Sequence, residues 1–249
     1  MRIRTVPPII LIALLAACGG GGGGDATGGG PATTQGASYQ YVPPAQGQSG
    51  TYTTTVTDSS GNSATYSGIA TVTQVNADGS SVTSWQYPGS SGNYTLDGFT
   101  YGNDPYLYNY DSKGQLIQSQ DVAATADQVV CTYSYPGGGA PSSAVPGQSW
   151  NSSQAESCGG NDIGTFTETT TYLGIESLTV PAGTFSAYKL QTVDVSATAS
   201  VPNLIVTNWY DTSATGSLLL KVTTQYADTG STSSSEPNIS TDMELTSYQ

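Results

Sequence analysis

SLLLKVTTQY, residues Ser217–Tyr226, is the stretch that decides the fold. Leu218, Leu220, Val222 and Tyr226 fall on one set of alternate positions, and Lys221, Thr223 and Gln225 fall between them. A period of two marks an extended strand with one buried face, because successive side chains leave a strand on opposite sides. Immediately upstream, Leu204–Tyr210 and Phe185–Val195 are also strand-like, with mixed faces that predict partial burial on both sides. The chain beyond Thr51 repeats the theme in short runs rich in Val, Thr, Tyr and Ile. Turn signals separate the runs at Asp58–Gly61, Asn76–Gly79, Asp111–Gly114 and Asp228–Gly230. In such turns Asp and Asn bond their own backbone while Gly supplies positive φ. No segment sustains a 3.6-residue period, and about ten to twelve strands of ordinary length fit the available chain. The expected fold is all-β, an antiparallel meander forming a curved sheet, half-barrel or sandwich over residues 51–249.

Composition narrows the partners. Charged residues make up 9% of the 249 residues and the formal charge is -13, whereas an ordinary soluble domain is about 25% charged. The surface must therefore be built from Ser, Thr, Asn, Gln, Gly and Tyr. Two of the five basic residues are Arg2 and Arg4, so only Lys113, Lys189 and Lys221 lie beyond the N-terminus. Nucleic acid is not an expected partner, since its binding depends on Lys and Arg displacing counterions from phosphate. A polybasic lipid-binding patch is absent for the same reason.

The N-terminus offers another route to a membrane. Arg2 and Arg4 precede an apolar run from Ile9 to Ala17, which as a helix would reach only about 13 Å, against a hydrocarbon core of about 30 Å. It reads as a signal peptide over residues 1–17. Its end, Leu15-Ala16-Ala17-Cys18, resembles the lipobox of bacterial lipoproteins. That resemblance implies cleavage before Cys18 and acylation of Cys18 with palmitate-type chains, which at about 0.8 kcal/mol per buried CH₂ anchor firmly only when several act together. It also implies sorting to the outer membrane, because Gly19 rather than Asp follows the cysteine. From residue 18 to 50 the chain is rich in Gly, Thr, Gln and Pro without apolar periodicity, and is expected to be a flexible tether.

A second resemblance lies in the β region. GIESLTVPAGTFSAYKL followed by TNWYDTSATGSLLLKV is similar to a segment shared by uncharacterised Gram-negative envelope lipoproteins, and VPGQSW at Val145–Trp150 sits where that family has a Gly-Gln-x-Trp element. The match spans roughly residues 145–225 and departs at Asp211–Gly216, where the family more often has Ala-Pro-Gly. It implies an all-β lipoprotein domain of unknown function and transfers no activity. Physically, Val180-Pro181-Ala182-Gly183 reads as a turn between strands.

Cys131 and Cys158 form an even pair in a chain expected to be exported, and so predict a disulfide that ties down the Gly- and Pro-rich stretch between them. Without His or a C-x-x-C motif, no metal site or cofactor is expected. The absence of His, and of Arg beyond residue 4, also removes Ser-His-Asp and Cys-His nucleophiles and guanidinium clamps for phosphate. Ser186-Ala187-Tyr188-Lys189 matches S-x-x-K, but in a strand Ser186 and Lys189 point to opposite faces. Glu168 and Glu176 would share a face, as a carboxylate pair requires, only in a strand unbroken at Gly174. The oxygen-rich stretches YGNDPY and GGNDIG match no EF-hand loop.

Tyr106, Tyr108 and Tyr110 share one strand face, and Trp85 and Tyr87 another; such stripes either fill a core or stack on a ligand. The resulting expectation is a lipid-anchored, non-enzymatic envelope protein that binds an apolar envelope ligand or another envelope protein. The alternatives are a structural or surface-display protein with no small-molecule site, and a glycan-binding module using its Tyr and Trp faces.

Overall fold

The computed structural model describes residues 37–249, apart from 58–60, 89–93, 97–98, 102–104, 123–129, 137–138, 142, 196–203, 214–216 and 227–239. The expected signal peptide, Cys18 and the expected turn at Asp228–Gly230 lie outside the described residues.

The strands are β1 (Ser49–Thr57), β2 (Ser63–Val75), β3 (Ser81–Gln86), β4 (Tyr94–Leu96), β5 (Phe99–Tyr101), β6 (Tyr106–Tyr110) and β7 (Leu116–Asp121). They continue as β8 (Val130–Ser134), β9 (Ser149–Cys158), β10 (Asn161–Val180), β11 (Gly183–Val195), β12 (Leu204–Asp211), β13 (Leu219–Tyr226) and β14 (Ser240–Tyr248). The expected antiparallel meander curves until it closes. β1 pairs with β2 on one side and with β14 on the other, so twelve strands form a barrel, and β4 and β5 make a separate hairpin between β3 and β6.

The alternation read from Ser217–Tyr226 holds around this wall. Tyr52 and Thr54 of β1, Ala70 and Val72 of β2, Trp85 of β3, Tyr110 of β6, Tyr133 of β8, Leu190 of β11, Val206 of β12, Val222 of β13 and Met243 of β14 are all buried. The residues between them carry short polar side chains outward. Thr55 faces Thr65, Thr57 faces Ser63, Ser149 faces Thr171, and Asn109 faces Gln118, each pair hydrogen-bonded across neighbouring strands. A membrane-spanning barrel has the opposite pattern, apolar outside and polar within.

The two ends of the barrel differ. At one end, termed the covered end, lie the β2–β3, β6–β7 and β10–β11 turns and the last residues of β14. The turns there have the predicted chemistry: the Asp78 carboxylate accepts from the Ser80 amide at 3.0 Å, and the Asp111 carboxylate from the Lys113 and Gln115 amides at 2.8 Å each. Five of the six register shifts among the described strands lie toward this end, beside Tyr52, Gln74, Tyr110, Gly174 and Tyr210. A bulge bends its strand and increases the local twist. The longest hairpin, β10–β11, extends past its neighbours here, and its tip reaches β14, where the Ala182 amide donates to the Leu245 carbonyl at 3.1 Å. Gly50 is required where the wall tightens, since a Cβ there would lie 2.8 Å from the Tyr52 ring and 2.9 Å from Leu245.

The packed part of the chain begins before Thr51, within the stretch read as tether. Tyr39, Tyr41 and Pro44 are buried. This segment crosses the covered end, with the Tyr39 amide donating to Ala144 and the Ser217 amide and hydroxyl both donating to the Val42 carbonyl. Its rings give the physical reason, because they replace solvent over the mouth of a wide barrel.

Cys131 on β8 and Cys158 on β9 stand directly opposite one another and are joined by a disulfide. Because this cross-link spans 27 residues, its loss should lower the unfolding free energy by about 3 kcal/mol. Urea titration of Cys131→Ser/Cys158→Ser beside the oxidised protein measures this. An unchanged midpoint would contradict it.

Candidate functional site

The barrel interior is the place where polar and aromatic groups converge. Tyr106, Tyr108 and Tyr110 lie opposite Trp85, Thr83 and Ser81, which places all three on the inner face, Tyr110 fully buried and the other two packed against the core. Trp85 and Tyr87 are buried as well. The two stripes anticipated from the sequence thus lie side by side on neighbouring strands of one aromatic interior. Tyr52 stacks on Trp85 with ring centroids 5.1 Å apart, and Tyr39, Tyr172 and Tyr188 form a second cluster at 5.1–6.1 Å.

The phenol hydroxyls are of two kinds. Tyr52 donates to the Leu219 carbonyl at 3.0 Å, Tyr135 to Leu116 at 3.2 Å, and Tyr172 to Ala37 at 2.9 Å. The hydroxyls of Tyr41 and Tyr210, with the side-chain oxygens of Gln154 and Asn208, have no hydrogen-bond partner among the described residues. Burial raises the tyrosine pKa values, because a phenolate would be desolvated. Tyr172 is pushed up to about 12 by burial and then by Tyr188, and Tyr52, Tyr110 and Tyr210 are raised further, chiefly by burial.

Two carboxylates share this interior. Glu168 accepts from Ser152 at 3.1 Å, and Glu156 accepts from Tyr133, whose oxygen lies 2.9 Å from the Ser119 hydroxyl. Both are buried, Glu156 at 4% exposure and Glu168 at 3%. Hydroxyl donors take the place that a cation would have. Glu156 and the two cysteines are close enough together to suggest a metal site, but the sulfurs are bonded to each other and offer no thiolate.

The residues considered for catalysis are separated. β10 runs through Gly174 unbroken, but an extra residue at Leu173 shifts its register between Tyr172 and Gly174. The shift reverses the faces beyond it, so Glu168 points inward and Glu176 outward. There Glu176 pairs with Lys189 at 3.3 Å and accepts from the Trp209 indole, while Lys189 also sits over the Trp209 ring at 5.1 Å. This cluster shields the outer side of β12 and explains the mixed burial read from Leu204–Tyr210. Ser186 and Lys189 occupy opposite faces of β11, as expected. In GGNDIG, Gly159 and Gly160 both have positive φ and form the tight β9–β10 turn.

One cavity of about 60 Å³ lies beneath the covered end, lined by Pro44, Tyr52, Trp85, Tyr110, Tyr210 and Leu218 among others. Small-molecule pockets usually occupy about 300–1,000 Å³. The sequence missed this closure because Tyr39 and Tyr41 sit in a Gly- and Gln-rich context; two tyrosines two residues apart were the available signal.

No family model and no curated protein matches the sequence. Similar solved structures include a protein from Bacteroides fragilis provisionally described as exported with a YmcC-like fold, at 12% identity over 84% of this chain and 98% of that one, TM-score 0.46. They also include a provisionally described lipoprotein from Parabacteroides distasonis, 13% identical over 84% and 97% with TM-score 0.42. The hypothetical lipoprotein YmcC from Escherichia coli is 11% identical over 83% and 88%, with TM-score 0.34.

The two kinds of hydroxyl predict opposite responses to the same substitution. Tyr52→Phe removes a buried hydrogen bond and should cost about 1 kcal/mol, whereas Tyr210→Phe removes a desolvated hydroxyl and should be neutral or stabilising. Denaturant midpoints of the two variants decide this, and equal losses would refute it.

The buried tyrosines also set an alkaline limit. Their folded pKa values lie above the unfolded value of about 10, so they stabilise the fold fully below pH 10 and lose that contribution as the pH rises toward the folded values. Phenolate absorbance should therefore rise in a delayed, cooperative step that coincides with loss of the near-ultraviolet circular dichroism. Gradual ionisation of the buried rings with the fold intact would contradict this.

Proposed function

We propose that this protein is a lipid-anchored component of the cell envelope, held through acylated Cys18 at the outer membrane, whose barrel is a structural or display unit and not a carrier or an enzyme. The observation that carries this reading is the small size of the cavity among the described residues. The cavity of about 60 Å³ between Pro44, Tyr52, Trp85, Tyr110 and Tyr210 leaves no room for an acyl chain or a comparable apolar ligand. Recognition then falls to the outer wall and the barrel ends, where Ser, Thr, Asn and Gln present hydrogen-bonding groups to another envelope protein. The glycan-binding alternative loses its main support, because Tyr106, Tyr108 and Tyr110 face the core. The non-enzymatic reading is supported by the separation of Glu168 from Glu176 and of Ser186 from Lys189, and by the lack of histidine.

Metabolic labelling with a fatty-acid probe tests the anchor, and native mass spectrometry of the extracted protein tests the filled core. Wild type should be labelled and sediment with membranes, Cys18→Ser should be unlabelled and released, and the mass should be that of the acylated chain alone. Equal labelling of both forms would remove the anchor. A stoichiometric co-purified lipid would restore the carrier reading.

A further inference from the structure

We infer that the covered end of the barrel is a membrane-facing surface that rests on the headgroup region of the bilayer, with Val145, Leu173, Ile175 and Tyr248 in contact with lipid. The inference rests on the Cys18 anchor and adds an orientation to it. Two observations at different places support it.

The first is where the chain enters. Ala37 accepts from Tyr172 at the covered end, and Tyr39 and Tyr41 are packed into the same end. The segment that continues toward Cys18 therefore leaves from this end, and only residues 19–36 lie between the lipidated position and Ala37.

The second is the distribution of exposed apolar side chains. Six large hydrophobic residues are exposed among those described; Ile117, Val145, Leu173, Ile175 and Tyr248 lie toward the covered end, and Ile163 alone toward the other. Several adjoin. The turn that carries Val145 is bonded to β10, Gly147 donating to Tyr172 and Tyr172 to Gln148, and Pro146 lies beside Gly174. Leu173 is the inserted residue of the bulge and Ile175 follows it. Tyr248 packs edge-on against Phe185 of the β10–β11 hairpin. Apolar and tyrosine side chains at such a rim suit the membrane interface, where an aromatic ring meets both water and hydrocarbon.

The test places one fluorophore at either end of the full-length acylated protein in phosphatidylcholine vesicles containing a headgroup-nitroxide lipid. Cys18 is acylated and Cys131 and Cys158 are bonded, so Ile175→Cys and Ile163→Cys each supply a single free thiol. Quenching at position 175 should exceed that at position 163 several-fold, and adding Val145→Ser and Leu173→Ser should reduce it while near-ultraviolet dichroism stays native. Equal quenching, stronger quenching at position 163, or a label at position 175 shielded from both lipid and aqueous quenchers, as a second copy would produce, overturns the orientation alone. Failure of the protein to float with the vesicles overturns the anchor, and the orientation with it.

Discussion

The ladder between β1 and β14 is the constraint on which the rest of the structure depends. Tyr52 stands opposite Leu245 and Thr54 opposite Met243, joining the first strand of the sheet to the last. Once that pairing exists, the number of strands fixes the width of the lumen, and an eight-stranded barrel is already as wide as ordinary side chains fill. Twelve strands require larger groups inside, which accounts for the many inward-facing tyrosines. A ring is large enough to reach toward the axis, and its hydroxyl can bond to a backbone carbonyl, as Tyr52 does to Leu219 and Tyr135 to Leu116.

The same geometry explains the covered end. Rings from the wall do not close the mouth of a wide barrel, so the chain supplies Tyr39 and Tyr41 from outside the sheet, and the β10–β11 hairpin bends across to β14. The bulge at Leu173 lets a twenty-residue strand change course without breaking. One inserted residue thus shapes the cover and sends Glu176 outward, away from Glu168. Architecture and lack of paired-carboxylate geometry have a common cause.

Much of the local structure was legible in the sequence. The alternation in Ser217–Tyr226, the turns at Asn76–Gly79 and Asp111–Gly114, and the Cys131–Cys158 pair all express physics that acts within a strand, within a turn or between ladder neighbours. Closure was not legible, because Tyr52 and Leu245 lie at opposite ends of the domain and no local pattern names a strand's distant partner. The role of Tyr39 was hidden by its Gly- and Gln-rich surroundings, and the reversal of faces at Leu173 by the fact that a bulge leaves strand composition unchanged. The burial of Trp209 depends on Glu176 and Lys189 from two other strands. The tyrosine stripes were visible as stripes, but the choice between core and ligand platform needed the position of the opposite wall.

Closure of the ladder bears on how such a chain behaves in a crowd. The proposed anchor would confine molecules to two dimensions and keep copies beside one another, the condition in which an unpaired strand edge recruits its neighbour. In this barrel each of the twelve strands is paired on both sides, so among the described residues the only open strand edges are those of the short β4–β5 hairpin. Closure of the barrel thus removes by topology the long open edges that a sheet of this size would otherwise have to protect with charged residues.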